Sequence, residues 1–309
     1  MQYPSIRYQN KRRVWGRVFR PIIVGVGFLL QQICRMESLR WGAFYSQSSA
    51  MAADSFHEPT QAMSDTFLSA LSGKWREMRE APAVTPAGIG FRPSREAAEL
   101  RRLAREGAAV GMPADAIARI WRSMCGDVAV SRGLKAVYVA GGDVTLSVEA
   151  ARGYFGFAPN IVPLVGVRDA LERATVQPGT LACVPWPEHA GAGQWWPMLN
   201  ENKFHGLVIV GGWPSLPGSP AETPRIAIVG RLSIESSGDD DTLAMAHDDH
   251  WSADKRLQEL GFKAEVVGRA RSLALIRISE FVAVDDRRID LARKAGLDGL
   301  RIVGVRPRP

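Results

Sequence analysis

Apolar and polar positions fall into three different rhythms along the chain. The first fifty residues have none: a basic stretch gives way to the short apolar run Pro21–Leu30 and then to a Ser-rich tract ending near Met51. From Met63 to Arg79, Phe67, Leu68, Leu71 and Trp75 recur three and four apart, the spacing of one helix face, with Ser64 placed to cap it. Pro82, Pro86, Gly88 and Gly90 form a linker. Ser94 then caps a second predicted helix with Ala97, Leu100, Leu103 and Ala104 on one face. Pro113 opens a third, in which Ile117, Ile120, Trp121 and Met124 share a face.

After Gly133 the period changes. Buried-strand runs at 136–140, 161–165 and 181–184 alternate with helical stretches at 148–155 and 168–174, which predicts a parallel α/β layer. A Gly/Pro/Trp-rich stretch and the run 206–210 follow. From Ile226 the chain reads strand, acidic loop, helix (252–260), strand (264–267), strand (273–278), helix (287–295), strand (300–305), the order of a ferredoxin-like βαββαβ unit. The expectation is an α+β multi-domain chain: leader and tail over 1–62, helical unit over 63–133, α/β domain over 134–225 and terminal βαββαβ domain over 226–309.

Charge changes this picture in one place. The first fifty residues hold eight cations against one acid, Glu37, so they account for the whole net charge of +7. The neutral remainder offers no electrostatic footprint for a phosphate backbone, and no nucleic-acid partner is expected. Basic head, short apolar middle and small-residue tail are the parts of an export signal. The alternative is an over-called start, with translation beginning at Met51 or Met63. The expected location is the cytoplasm, with export only if residues 1–50 are a genuine signal; the apolar run is too short to span a membrane. Cys34, Cys125 and Cys183 lie far apart and suggest neither a disulfide framework nor a structural zinc site.

Three blocks carry a resemblance. They are Phe91–Ala98 with Ile117–Arg122; Ala136–Gly156, which contains Gly141-Gly142-Asp143-Val144-Thr145; and Thr223–Arg231 through Ser237–Thr242 to Leu300–Arg308. In this order they resemble the chorismate mutase–prephenate dehydratase proteins of phenylalanine biosynthesis, in a shortened form. The resemblance implies an all-helical mutase-like unit, an α/β remnant of a dehydratase lobe of the periplasmic-binding-protein type, and an ACT-type regulatory domain. It implies an aromatic precursor such as chorismate or prephenate as ligand, a homodimer and no cofactor. The mutase rearrangement needs cations on the substrate carboxylates and a donor at its ether oxygen, but no nucleophile. Carried over position by position, the catalytic residues are Arg95, Glu96 and Arg132, and the substrate-binding residues of the α/β part are Thr145, Ser147 and Arg225.

The chain also departs from the family. A Ser and a Gln of the third mutase helix fall on Val128 and Arg132. The dehydratase Glu-Asn-Ser becomes Pro187, Glu188 and His189, and its Thr-Arg pair is split by Pro224. Most of the second dehydratase lobe is missing between His189 and Thr223, so dehydratase activity is not expected. The leading expectation is a chorismate mutase-like isomerase. The alternatives are a non-catalytic aromatic-acid-binding or regulatory protein on the same scaffold, and a purely structural oligomer partner.

Two other clusters have bland readings. His247, Asp248, Asp249 and His250, near Asp239–Asp241, are the residue types of a metal site, but a solvated loop and helix cap is the favoured reading and no metal is expected. Trp186, Trp195, Trp196 and Trp213 are expected to plug the gap left by the missing lobe.

Overall fold

In a computed structural model the described residues are 57–80, 89–188, 194–215 and 224–308. The leader, the linker 81–88 and His189 lie outside them. The chain divides into two units, Met1–Leu68 and Ser69–Pro309. Helix α1 (His57–Glu80) starts earlier than its apolar spacing suggests and takes in residues expected to form a tail.

Helices α2 (Pro93–Ala109) and α3 (Ala114–Ser131) form a hairpin. Leu100, Ile117, Ala118, Trp121 and Cys125 are its buried seam, with Met78 and Leu103 packed against it. Ile120 falls off that seam and is exposed. Ser94 is not the cap of α2: Arg92 holds the N-cap position and Pro93 fills the first helical position. A proline there loses nothing, because that N–H has no helical acceptor.

The α/β part is β1 (Ala136–Val139), α4 (Val144–Phe155), β2 (Ile161–Pro163), α5 (Val167–Val176) and β3 (Thr180–Pro185). The three strands are parallel, with β1 between the other two. Alternate side chains divide between the faces, as a pleated strand requires. Val137, Val139, Leu181 and Cys183 meet Ala151, Tyr154 and Phe155 of α4. Ala136, Tyr138, Ala182 and Val184 meet Ala170, Leu171 and Ala174 of α5.

Strand β4 (Val208–Trp213) follows the Trp-rich stretch, and β5 (Ile226–Gly230) lies antiparallel between β3 and β4. Thus Ile226–Gly230 does not open the βαββαβ unit. Its first strand is β6 (Asp240–His247), a segment expected to be an acidic loop. The acids misled: Asp240 and Asp241 sit at the strand's start, while Thr242–Ala246 that follows is wholly buried. The unit continues through α6 (Ala253–Glu259), β7 (Ala264–Ala270), β8 (Leu273–Ile278), α7 (Arg287–Lys294) and β9 (Arg301–Pro307).

The nine strands among the described residues belong to one sheet, in the order β2-β1-β3-β5-β4-β9-β6-β8-β7. Its two halves join where β4 meets β9, through the pair Ile209–Gly304. A Cβ on Gly304 would come within 2.5 Å of the Ile209 carbonyl oxygen, so only glycine lets the halves approach this closely. One face is covered across both halves by Trp186, Trp195, Trp196, Leu199 and Phe204, which pack with Val184 and Ala227 and also with Leu243, Met245 and Leu275. These tryptophans form a continuous core layer; Trp213 packs on the opposite face.

Candidate functional site

The expected residues fall at two places. The first is the start of α2. Arg95 points outward, with 69% of its side chain exposed, and stands 4.0 Å from Glu235. Its neighbour Glu96 turns the other way and is buried. One Glu96 carboxylate oxygen accepts from the main-chain N–H of Arg92 (3.3 Å), and the other accepts from Arg122 Nη1 (3.3 Å). The Glu96 carbonyl accepts from the indole N–H of Trp121 at 2.9 Å. Arg122, itself buried, lies 4.1 Å over the Tyr154 ring, a cation–π contact that ties the hairpin to α4. Burial raises the Glu96 carboxyl, against the pull of Arg122 and the Arg92 N–H. Burial likewise raises the Tyr154 hydroxyl and the Cys125 thiol.

Arg132 joins neither residue. It is the C-cap of α3, where Nη1 donates to the carbonyl of Met78 at 3.1 Å, and its side chain lies against Gly90. The arrangement therefore separates Arg95 (solvent), Glu96 (buried ion pair) and Arg132 (helix end). Arg122 and Tyr154 had not been singled out from the sequence. A signal existed: Arg122 lies on the stripe 118, 121, 125, 129, where a cation must find an internal partner.

The second place is the carboxyl end of β1 and β3. Strand β1 runs into the turn Ala140–Asp143, and Asp143 caps α4 by accepting from the N–H of Leu146 at 3.0 Å. Thr145, in the first turn, is exposed; Ser147 is buried and donates to the Asp143 carbonyl at 2.8 Å. A Cβ on Gly141 would lie 2.7 Å from Ser147 Oγ and 3.3 Å from Pro185, so a glycine is needed for the strand ends and helix start to close up. Arg225 belongs to the same edge. Its main chain donates to the Trp213 carbonyl (2.7 Å) and accepts from the N–H of Trp186 (2.9 Å), while its side chain is exposed. Since Pro185 pairs with Ile226, Gly141 and Arg225 are two strand spacings apart, about 10 Å. Thr145, Ser147 and Arg225 thus share one end of the sheet.

The topology singles out that end. From β1 the chain crosses to β2 on one side, and β3 lies on the other, with α4 and α5 on opposite faces. A crevice at such a reversal, outside the carboxyl ends of parallel strands, is the usual ligand position in open α/β sheets.

The remaining candidates are structural. Asp248 caps the start of α6 by accepting from the N–H groups of Ser252 and Ala253, and pairs with Arg269 at 2.7 Å. Glu188 pairs with Arg277 at 3.2 Å. Among the described residues no helix is long and apolar enough to cross a membrane.

No protein-family model and no curated protein matches the chain. Solved structures do show partial likeness. A structure described as GqqA, a novel type of quorum quenching acylase, shares 16% identity over 56% of this chain and 95% of its own, with a TM-score of 0.39. Prephenate dehydratase from Streptococcus mutans shares 13% over 57% and 100%, with a TM-score of 0.37. Prephenate dehydratase from Arthrobacter aurescens, in complex with L-Phe, shares 14% over 56% and 90%, with a TM-score of 0.37. The likeness is one of chain path over part of the molecule and assigns no activity.

Proposed function

We propose that this chain binds a small cyclohexadiene carboxylic acid of the chorismate or prephenate kind at the carboxyl end of β1 and β3, without turning it over. The observation that carries the reading is the placement of Thr145 and Arg225 at one end of the sheet, beside the strand-order reversal, both exposed and neither making a side-chain hydrogen bond or ion pair among the described residues. A guanidinium offers a two-point fit to a carboxylate, and a hydroxyl at a helix start adds a third donor. Asp143 stands at the same helix start, which favours a ligand whose carboxylate meets Arg225 and whose hydroxyl or ring faces the helix. In this reading the chain is a regulatory or binding relative of the aromatic amino-acid enzymes.

Titration of prephenate and chorismate into the full chain tests it. The expected result is saturable binding, weakened about tenfold or more by Arg225→Ala and Thr145→Val, with no consumption of either compound. Absence of binding, or binding indifferent to both substitutions, sinks the reading.

A second reading, chorismate mutase-like isomerisation, is favoured by Arg95, a cation held in solvent at the start of α2. Chorismate consumption that disappears in Arg95→Ala would establish it.

A further inference from the structure

A small pocket opens beside the start of α2, lined by Arg92, Ser94, Leu232, Ser233 and Glu235 among others. Its charged occupant belongs to the protein itself. Glu235, in the loop between β5 and β6, is engaged by Arg92 Nη2 at 2.8 and 3.1 Å and stands 4.0 Å from Arg95. The fit is incomplete. Both short contacts come from the single nitrogen Nη2, while Arg92 Nε is buried and has no partner among the described residues. A carboxylate seated squarely on a guanidinium takes two parallel N–H donors; Glu235 takes one, and leaves a donor of the fork unmet.

The loop itself is fixed, because Ser94 Oγ donates to the Glu235 carbonyl at 2.6 Å. The carboxylate is not fixed in the same way: its side chain is 32% exposed, so an outward swing would require no movement of the backbone. If the carboxylate swings out, Arg92 and Arg95 stand side by side with a free guanidinium fork, an exposed second cation and the Ser233 hydroxyl nearby.

We infer that Glu235 is a resident carboxylate that masks an anion site formed by Arg92 and Arg95, and that a small carboxylate ligand binds there by displacing it. The inference rests on reading Arg95 as an anion-binding group, and it is separate from the site at Thr145 and Arg225. It makes the β5–β6 loop a built-in competitor: the site is weak while Glu235 is seated on Arg92, and opens when the Glu235 carboxylate is displaced or replaced.

The test is calorimetric titration of malonate, a dicarboxylate without a ring, into the full-length protein, its Glu235→Gln variant and the double variant Glu235→Gln/Arg95→Ala, with chorismate titrated in parallel. Gln keeps the size and hydrogen-bonding oxygen of Glu, so the fold is retained; far-ultraviolet circular dichroism checks this. Removing one like charge beside the ligand is expected to tighten malonate about tenfold. The Arg95→Ala change should cancel that gain. Tighter malonate without tighter chorismate upholds the masked site and counts against a chorismate-like ligand there. Equal malonate affinity in protein and Glu235→Gln, or a gain that survives Arg95→Ala, overturns the inference.

Discussion

The start of α2 and the carboxyl end of β1 and β3 both carry residues expected to meet a substrate, and they use them in opposite ways. At Glu96 both carboxylate oxygens are taken, by the Arg92 N–H and by Arg122, inside a buried cluster with Trp121 and Tyr154. At the strand ends Thr145 and Arg225 are exposed, and neither side chain is engaged among the described residues. A buried charge with an internal partner is held by the fold, and removing that partner leaves it uncompensated. An exposed cation beside a topological reversal contributes little to stability and remains available to a ligand. Residues nominated by one resemblance can therefore end as architecture in one region and as a candidate site in the other.

The most damaging way to break this contrast is Arg122→Ala. It strands the Glu96 carboxylate and should cost about 4 kcal/mol, read from the shift of the urea midpoint. Replacing both members, as Arg122→Met with Glu96→Leu, should recover most of that loss, since two apolar groups can be accommodated where one orphaned charge cannot. Next comes Gly304→Ala, which forces the joined half-sheets apart against the Ile209 carbonyl and should cost about 2 kcal/mol in the same assay. Arg225→Ala and Thr145→Val should shift stability by less than about 0.5 kcal/mol while weakening ligand binding. That pairing of small stability change with large binding change would sharpen the contrast most.

The smallest expected effect concerns two acids one turn apart on α2. Hydrogen bonding from Arg102 holds the Glu99 carboxyl down to about 2, against the ordinary 4.5. Its stabilising contribution is therefore complete above pH 4.5 and fades as pH falls toward about 2. Glu96 is raised by burial, so the folded state holds its proton more tightly than the unfolded chain does. Its contribution runs the other way, favouring the fold as pH falls through that raised value. Glu99→Gln should flatten the acid limb of the urea-midpoint profile, whereas Glu96→Gln should remove the opposing trend.

Much of the fold was legible in the residues. The three-and-four spacing in 97–104 and the runs around 136–140 and 181–184 identified α2, β1 and β3, because one-face and two-face burial leave different periods. β6 is masked in the sequence because Asp240 and Asp241 open it, and their polarity outweighs the buried Thr242–Ala246 behind them. The place of β5 was hidden for another reason: pairing is a long-range property, and nothing local in Ile226–Gly230 says that its neighbours are β3 and β4. The candidate site divides along the same line. Thr145, Ser147 and Arg225 could be nominated by motif, but their meeting at one edge depends on the Pro185–Ile226 pairing. Glu235 could not be nominated, since it lies well over a hundred residues from Arg92 and in no motif.

Arg225, exposed at the strand ends, is proposed to receive a ligand carboxylate. Isothermal titration of prephenate into the full-length protein, beside its Arg225→Ala variant, measures this most directly. The expected result is saturable one-to-one binding that weakens about tenfold or more in the variant, with the prephenate recovered unchanged. Equal binding in the two proteins, or none in either, would contradict it.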